Sequence, residues 1–345
     1  MTDELNEKFE LLLKNCSVIN RKFLFKDAFL CLTASLIFTS ADKLADAEMI
    51  SRCRKILNKN TGLTSNLRAN PKLVILSKMA LSNDPEKYLS DVSEVYKKIH
   101  HGTQLENSYM ALAAALIRDL GRQDEAEDLI AKAEQIKAGM NKLHPVLTAS
   151  EDTSFIMFLA LTDKSVDTII KDVEEGYEYL KDTCKIKASS NGIQGLSEVI
   201  AISYGDTREK CDRAVRIFNA FAEHDAKFGS DHEIVVLGSL INLDIDTDTL
   251  VREILDTETR FKELKGFKNH EMDRKARMMY ASMLAAGVYG RHPEVIDNSV
   301  LSNTMSTIIA KQIASAISVA ANIASAALSG AGALAGDSEE AKEEL

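Results

Sequence analysis

A short acidic turn recurs along this chain at nearly constant spacing, and each time it separates an apolar run from an amphipathic one. The turns read "FTSADKLADAEMI", "LSNDPEKYLSDV", "GRQDEAEDLI", "LTDKSVDTII", "YGDTREKCDRAV" and "DIDTDTLVREIL". Their acidic anchors are Asp42, Asp84, Asp124, Asp163, Asp206 and Asp246, so the intervals are 42, 40, 39, 43 and 40. After three anchors, the same offsets carry Leu89, Val92, Tyr96 and Ile99; Cys211, Ala214, Phe218 and Phe221; and Val251, Ile254, Glu258 and Phe261. Steps of three and four lie on one face of a helix, and Glu258 is the one charge among these twelve. The runs before the turns, such as "AFLCLTASLIF", "SFIMFLAL" and "EIVVLGSLINL", are apolar on every face and suit inner helices. A period of this length in helical pairs predicts an all-α fold of helical-hairpin repeats of about 41 residues, forming an α-solenoid or an α/α ring. The inner helices are expected at 28–39, 72–81, 107–119, 153–161, 194–204, 233–243 and 275–286.

A second series precedes the inner helices: Thr64, Thr103, Thr148, Ser190 and Ser230. A hydroxyl there accepts a bond from an orphan N–H of the first helical turn. Thr148 with Glu151 has capping-box spacing. Four prolines and sixteen glycines are too little punctuation for a many-turned β fold. A net charge of −10 without a basic run argues against nucleic acid, whose phosphates require a Lys/Arg patch. Cys16, Cys31, Cys53, Cys184 and Cys211 show no C-x-x-C and read as reduced thiols in a cytoplasmic setting. The start "MTDELNEKFELLL" lacks the basic region and cleavage site of a signal peptide, so export by that route is not expected.

The segment "LHPVLTASEDTSFIMFLAL", with His144, Leu147, Thr148, Asp152 and the apolar "FLAL", resembles the signature region of an uncharacterised family of helical proteins from Gram-positive bacteria, a domain of unknown function. "GIQGLSEVIAIS", "NLRANPKLVILSKMAL" and an Ala-rich C-terminal end share that resemblance. It implies a bacterial, helical module over nearly the whole chain, and it brings no activity.

Six histidines lie in or beside connections between repeats: His100, His101, His144, His224, His232 and His270. Those connections are longer than the hairpin turns, and longer loops more often carry function. The candidate ligand site combines His144 and Asp152 with His100 or His101 from the preceding loop and Asn191 from the next. Each of these residues also has a plain structural or solvated reading. Imidazole with carboxylate is a transition-metal ligand set, which makes His224, Asp231 and His232 secondary metal candidates, although no H-E-x-x-H spacing occurs. No phosphate-loop, dinucleotide or nucleophile-elbow motif is found, and no cofactor is indicated.

The chain divides into a repeat domain over 1–300, a small-residue apolar C-terminal helix over 301–336 and an acidic tail over 337–345. Within the second, Lys311, Ser315, Ser318, Asn322, Ser325 and Ser329 form a narrow polar stripe on a helix expected over about 302–329. The length would span a bilayer, but Ala, Ser, Gly and mid-segment Asn322 favour docking on the protein's own repeats or on another copy. The leading function is a non-enzymatic protein- or peptide-binding scaffold. Two further readings stay open: a membrane-associated protein acting through 301–336, and a metal-dependent enzyme with a His/Asp site on the inter-repeat edge.

Overall fold

The computed structural model describes residues 1–23, 28–68, 72–102, 108–143, 153–203, 205–265, 267–269 and 272–290. Its helices are α1 (Asp3–Phe23), α2 (Ala28–Ser40), α3 (Ala47–Asn60), α4 (Lys72–Leu81), α5 (Pro85–Gly102), α6 (Ser108–Asp119), α7 (Ala126–Leu143), α8 (Thr153–Ala160), α9 (Val166–Glu178), α10 (Ser190–Ile202), α11 (Thr207–Glu223), α12 (Thr247–Glu263) and α13 (Arg274–Tyr289). A 3-10 helix, His232–Ser239, lies between α11 and α12. No strand occurs among the described residues. The expected segments 301–336 and 337–345 lie outside them.

Two kinds of helix alternate. α3, α11 and α12 each bury one stripe, for example Ile50, Cys53, Ile56 and Leu57 on α3. α10 and α13 are buried without interruption from Gly192 to Ile202 and from Ala276 to Ala286. A helix apolar all round is stable only when every face is covered, so these segments need neighbours on all sides.

Acidic and hydroxyl side chains start the amphipathic helices. Asp46 accepts from the N–H groups of Glu48 and Met49 at 2.8 and 3.0 Å, and Asp206 does the same for Arg208 and Glu209 at 3.0 Å each. Asp84 and Asp246 cap α5 and α12 in the same way. Thus Asp84, Asp206 and Asp246 of the acidic series are helix caps. At the first turn the cap is Asp46, while Asp42 sits at φ 54° and pairs with Lys8. At the fourth, Ser165 caps instead of Asp163. In the hydroxyl series the cap of α10 is Ser189, one residue before Ser190.

The opposite ends of the buried helices carry orphan carbonyls and the negative pole of the helix dipole. Cations from neighbouring elements meet them. Lys8 donates to Thr39 O at 3.2 Å, Arg122 to Leu161 O at 2.6 Å and Lys132 to Thr162 O at 2.5 Å. At the end of α10, Lys164 and Lys210 converge on the carbonyls of Ile200, Ala201 and Ser203 at 2.8–3.0 Å.

Each amphipathic helix packs on the next: α3 on α5, α5 on α7, α7 on α9, α9 on α11 and α11 on α12. The buried helices do likewise: α2 on α4, α6 on α8, α8 on α10, α10 on the 3-10 helix and the 3-10 helix on α13. Lys78 of α4 pairs with Asp119 of α6, which also accepts from Tyr88 at 3.0 Å. The first and last described helices meet. Phe9 packs edge-on to Phe261 at 4.9 Å, Arg260 pairs with Glu10 at 2.5 Å, and Thr33 of α2 shares a 3.0 Å hydrogen bond with Tyr280 of α13.

The expected helix over 233–243 is instead the 3-10 helix. Ile234, Val235 and Val236 are poor helix formers followed by Gly238, and Val199 leaves no room for a side chain there: a Cβ on Gly238 would fall 2.3 Å from Val199 Cγ1.

Candidate functional site

The start of α10 shows how the edge between hairpins is built. Ser189 Oγ accepts from Gly192 N–H at 3.0 Å and donates to Asp231 Oδ1 at 2.5 Å. Ser189 N–H donates to Ser230 O at 2.6 Å. A Cβ on Gly192 would lie 2.7 Å from Asp231 O, so glycine is what lets α10 approach this backbone. Asn191 stands exposed in the same first turn.

Asp231 is thereby a bracket between α10 and the 3-10 helix. His224 does not join it. The His224 imidazole lies 3.0 Å from Asp248 Oδ1 on α12, and Arg252 holds the other oxygen of Asp248 at 2.8 Å. His232 opens the 3-10 helix. Among the described residues no three His, Cys, Asp or Glu side chains gather as a metal site.

His100 and His101 fall in the last turn of α5 and not in the loop expected from sequence. His144 and Asp152 lie outside the described residues. Of the five candidate ligand residues, Asn191 is the one whose side chain is described.

Two features were not anticipated. The first is an open groove of about 640 Å³ along α9. Asp167, Glu174, Glu175 and Glu178 line it with Lys171 and Arg208, and Leu143 and Ile170 give it an apolar part. The wall is therefore net negative by two charges. Arg208 is held by Glu175 at 2.8 Å and lies 5.6 Å from the Tyr179 ring. Tyr179 begins a π-helical turn, Tyr179–Thr183, and donates to Asp212 at 3.1 Å, a hydrogen bond that raises its pKa. Such turns are frequent at functional sites.

The second feature is a buried polar pair on α10. Gln194 is 2% exposed and Glu198 is 0% exposed. Gln194 Nε2 donates to Glu198 Oε1 at 3.0 Å. Gln194 Oε1 has no hydrogen-bond partner among the described residues. Ser197 beside them lies against Gly176 of α9, while Gly195 and Val199 lie against Val235 and Gly238 of the 3-10 helix. Glu198 is one residue from both Ser197 and Val199, so it projects about 100° from each, on the remaining side of α10. The legible signal was the i, i+4 pair of polar letters in the apolar "GIQGLSEVIAIS".

Cys53 and Cys211 are not poised as nucleophiles. Burial pushes Cys53 up to about 11 and Cys211 up to about 12, away from the thiolate that such chemistry requires.

These features define an all-helical protein with a charged groove on one helix and a polar pair buried on another. The chain belongs to the family described as "Protein of unknown function (DUF4003)", whose model matches residues 15–314. No curated protein matches the chain, and no solved structure does.

Proposed function

We propose that this chain is a ring of seven helical hairpins that serves as a scaffold for a protein or peptide partner, with the groove along α9 taking a basic segment. The ring reading is supported by two circuits of neighbours. One runs through α1, α3, α5, α7, α9, α11 and α12 and returns to α1 through Phe9–Phe261 and Arg260–Glu10. The other runs through α2, α4, α6, α8, α10, the 3-10 helix and α13 and returns to α2 through Thr33–Tyr280. Stacked hairpins of this kind expose long surfaces suited to extended partners.

The groove is the observation behind the binding reading. Its carboxylates outnumber its cations by two, and exposed Leu143 adds an apolar contact. A segment bearing Lys or Arg beside an apolar residue complements both. The protein is taken to work in a reducing compartment, in keeping with five cysteines and no disulfide. No described helix is long and apolar enough to cross a membrane.

A random peptide library panned against the full chain tests this. Peptides rich in Lys or Arg should be enriched, bind more weakly as salt rises, and lose about tenfold or more in affinity to the D167K/E178K variant. A library with no basic enrichment, or binding unchanged by charge reversal, would refute it.

A further inference from the structure

We propose that the acidic groove along α9 reads an arginine of its partner on a seat formed by the Glu175 carboxylate and the Tyr179 aromatic ring, and that Arg208 of the protein itself occupies this seat until the partner displaces it. This deepens the basic-segment reading of the groove and rests on it. The outer face of α9 carries two rows at helical spacing. Lys171, Glu175 and Tyr179 step by four along one, and Ile170, Glu174 and Glu178 step by four along the other. Contacts orient the rows. Glu175 and Tyr179 meet Arg208 and Asp212 of α11, whereas Ile170 faces α7, where a Cβ on Gly139 would fall 2.1 Å from its Cδ1. The groove therefore has a charged side towards α11 and an apolar end, Ile170 with Leu143, towards α7.

Arg208 shows what the seat binds. Its Nε donates to Glu175 Oε1 at 2.8 Å, and its guanidinium carbon lies 5.6 Å from the centre of the Tyr179 ring, within cation–π range. The ring is fixed independently of Arg208: its hydroxyl donates to Asp212 at 3.1 Å, and the π-helical turn closes with Cys184 N–H on Tyr179 O at 2.9 Å. Among the described residues Arg208 lines the groove and Tyr179 does not, which places the Arg208 side chain on the groove side of the aromatic ring. Little holds Arg208 there. Its side chain is 63% exposed and that of Glu175 33%, and ion pairs of such exposure are screened and contribute little. It stands two residues after Asp206, the cap of α11, where the helix dipole disfavours a cation. The start of α11 is secured without the Arg208 side chain, because Asp206 accepts from the N–H groups of Arg208 and Glu209. The guanidinium can therefore leave while the backbone stays.

The seat selects arginine over lysine. A planar guanidinium stacks on an aromatic face and forks to a carboxylate at once, which a compact ammonium does not. The apolar end fixes the rest of the motif. By the rise of an α-helix, Ile170 lies about 7–8 Å along α9 from Glu175 and about 13–14 Å from Tyr179. An extended chain reaches the middle of that range in about three residues. The segment that fits thus carries an apolar residue three positions from its arginine.

The test uses the full chain and two end-blocked peptides of equal charge, Leu-Ser-Gly-Arg-Lys and Leu-Ser-Gly-Lys-Lys, titrated by fluorescence anisotropy. Arg208→Ala should bind the arginine peptide about tenfold or more tighter than wild type does, and should prefer it over the lysine peptide by about fivefold or more. Adding Tyr179→Leu should cut that preference to less than about twofold, while adding Tyr179→Phe, which keeps the aromatic ring, should preserve it. An equal gain for both peptides is a general charge effect and overturns the seat, as does a preference that survives Tyr179→Leu. In both cases the groove reading stands if D167K/E178K still weakens both peptides. If neither peptide binds either protein, the seat falls alone when library panning still enriches basic peptides, and falls with the groove when it does not.

Discussion

Replacing Arg277 tests the energetics of the α12–α13 connection most directly. Arg277 is 1% exposed, and its guanidinium binds Glu258 Oε1 at 2.7–2.8 Å, Phe267 O at 3.0 Å, Met272 O at 2.5 Å and Asn269 Oδ1 at 2.8 Å. Glu258 is itself 3% exposed. Its other neighbouring cation, Arg274, lies 3.5 Å away and is about half exposed, so it compensates weakly. Removing one partner of a buried ion pair costs about 3–5 kcal/mol, because the remaining charge keeps its desolvation penalty. Arg277→Met therefore leaves a buried carboxylate and several carbonyls without their donor. At roughly 2 °C per kcal/mol for a chain of this size, the apparent Tm should fall by about 6–10 °C. Calorimetry or circular dichroism reads this. Arg277→Met with Glu258→Leu should lose less than Arg277→Met alone, since an apolar pair in that volume approaches neutrality. A fall below about 2 °C, or a double variant worse than the single one, would refute the assignment of Arg277 as the charge that keeps Glu258 buried.

Gly192→Ala should destabilise by about 1–3 kcal/mol, because its Cβ meets backbone Asp231 O and neither chain can yield cheaply; Gly62→Ala, with open space around it, should not, and urea melts compare the two. Asn15→Leu should cost at least about 2 kcal/mol by the same melts, since Asn15 is 0% exposed and holds Thr39 Oγ1, Lys43 O and Ala45 N–H at 2.7–3.1 Å, pinning the turn before α3. Lys210 gives a pH signature: burial, with Lys164 nearby, lowers its pKa to about 8 from an ordinary 10.5. Between those values the unfolded chain binds a proton that the folded chain does not, so this group's contribution to stability rises with pH from about 8 to 10.5. The Tm difference between wild type and Lys210→Met, measured across that window, should therefore shift in favour of wild type as pH rises, and a flat difference would refute the burial of a charged amine. Asp206→Ala should cost about 1 kcal/mol through loss of the α11 cap, read in the same urea melts.

The helix pairs were legible because what specifies them is local. Steps of three and four, apolar runs of about eight to eleven residues and Asp or Ser caps act within one or two turns. The buried helices accordingly fall where the apolar runs are, at 28–40, 72–81, 108–119, 153–160, 190–202 and 274–289. The exception is instructive. "EIVVLGS" has the composition of an inner segment, yet Gly238 pressed against Val199 and a β-branched run turn it into a 3-10 helix.

The histidine edge was less legible. Imidazole and carboxylate letters in neighbouring loops say nothing about which pair meets. His224 reaches Asp248 on α12, and Asp231 is taken by Ser189. The groove on α9 draws its wall from three helices, so no contiguous motif announces it.

Sequence by itself determined that this chain is helical, where its hairpins turn and which helices are apolar on every side. Those properties follow from side-chain spacing and from the need of each helix end for a partner. Tertiary structure decided the rest: that Phe9 meets Phe261 and Thr33 meets Tyr280, that Arg277 and Glu258 are buried together, and that Gln194 and Glu198 lie inside and not on the surface. The reason is physical. A contact between residues some 250 positions apart depends on how every helix between them packs on its neighbours, and no short stretch of sequence contains that information.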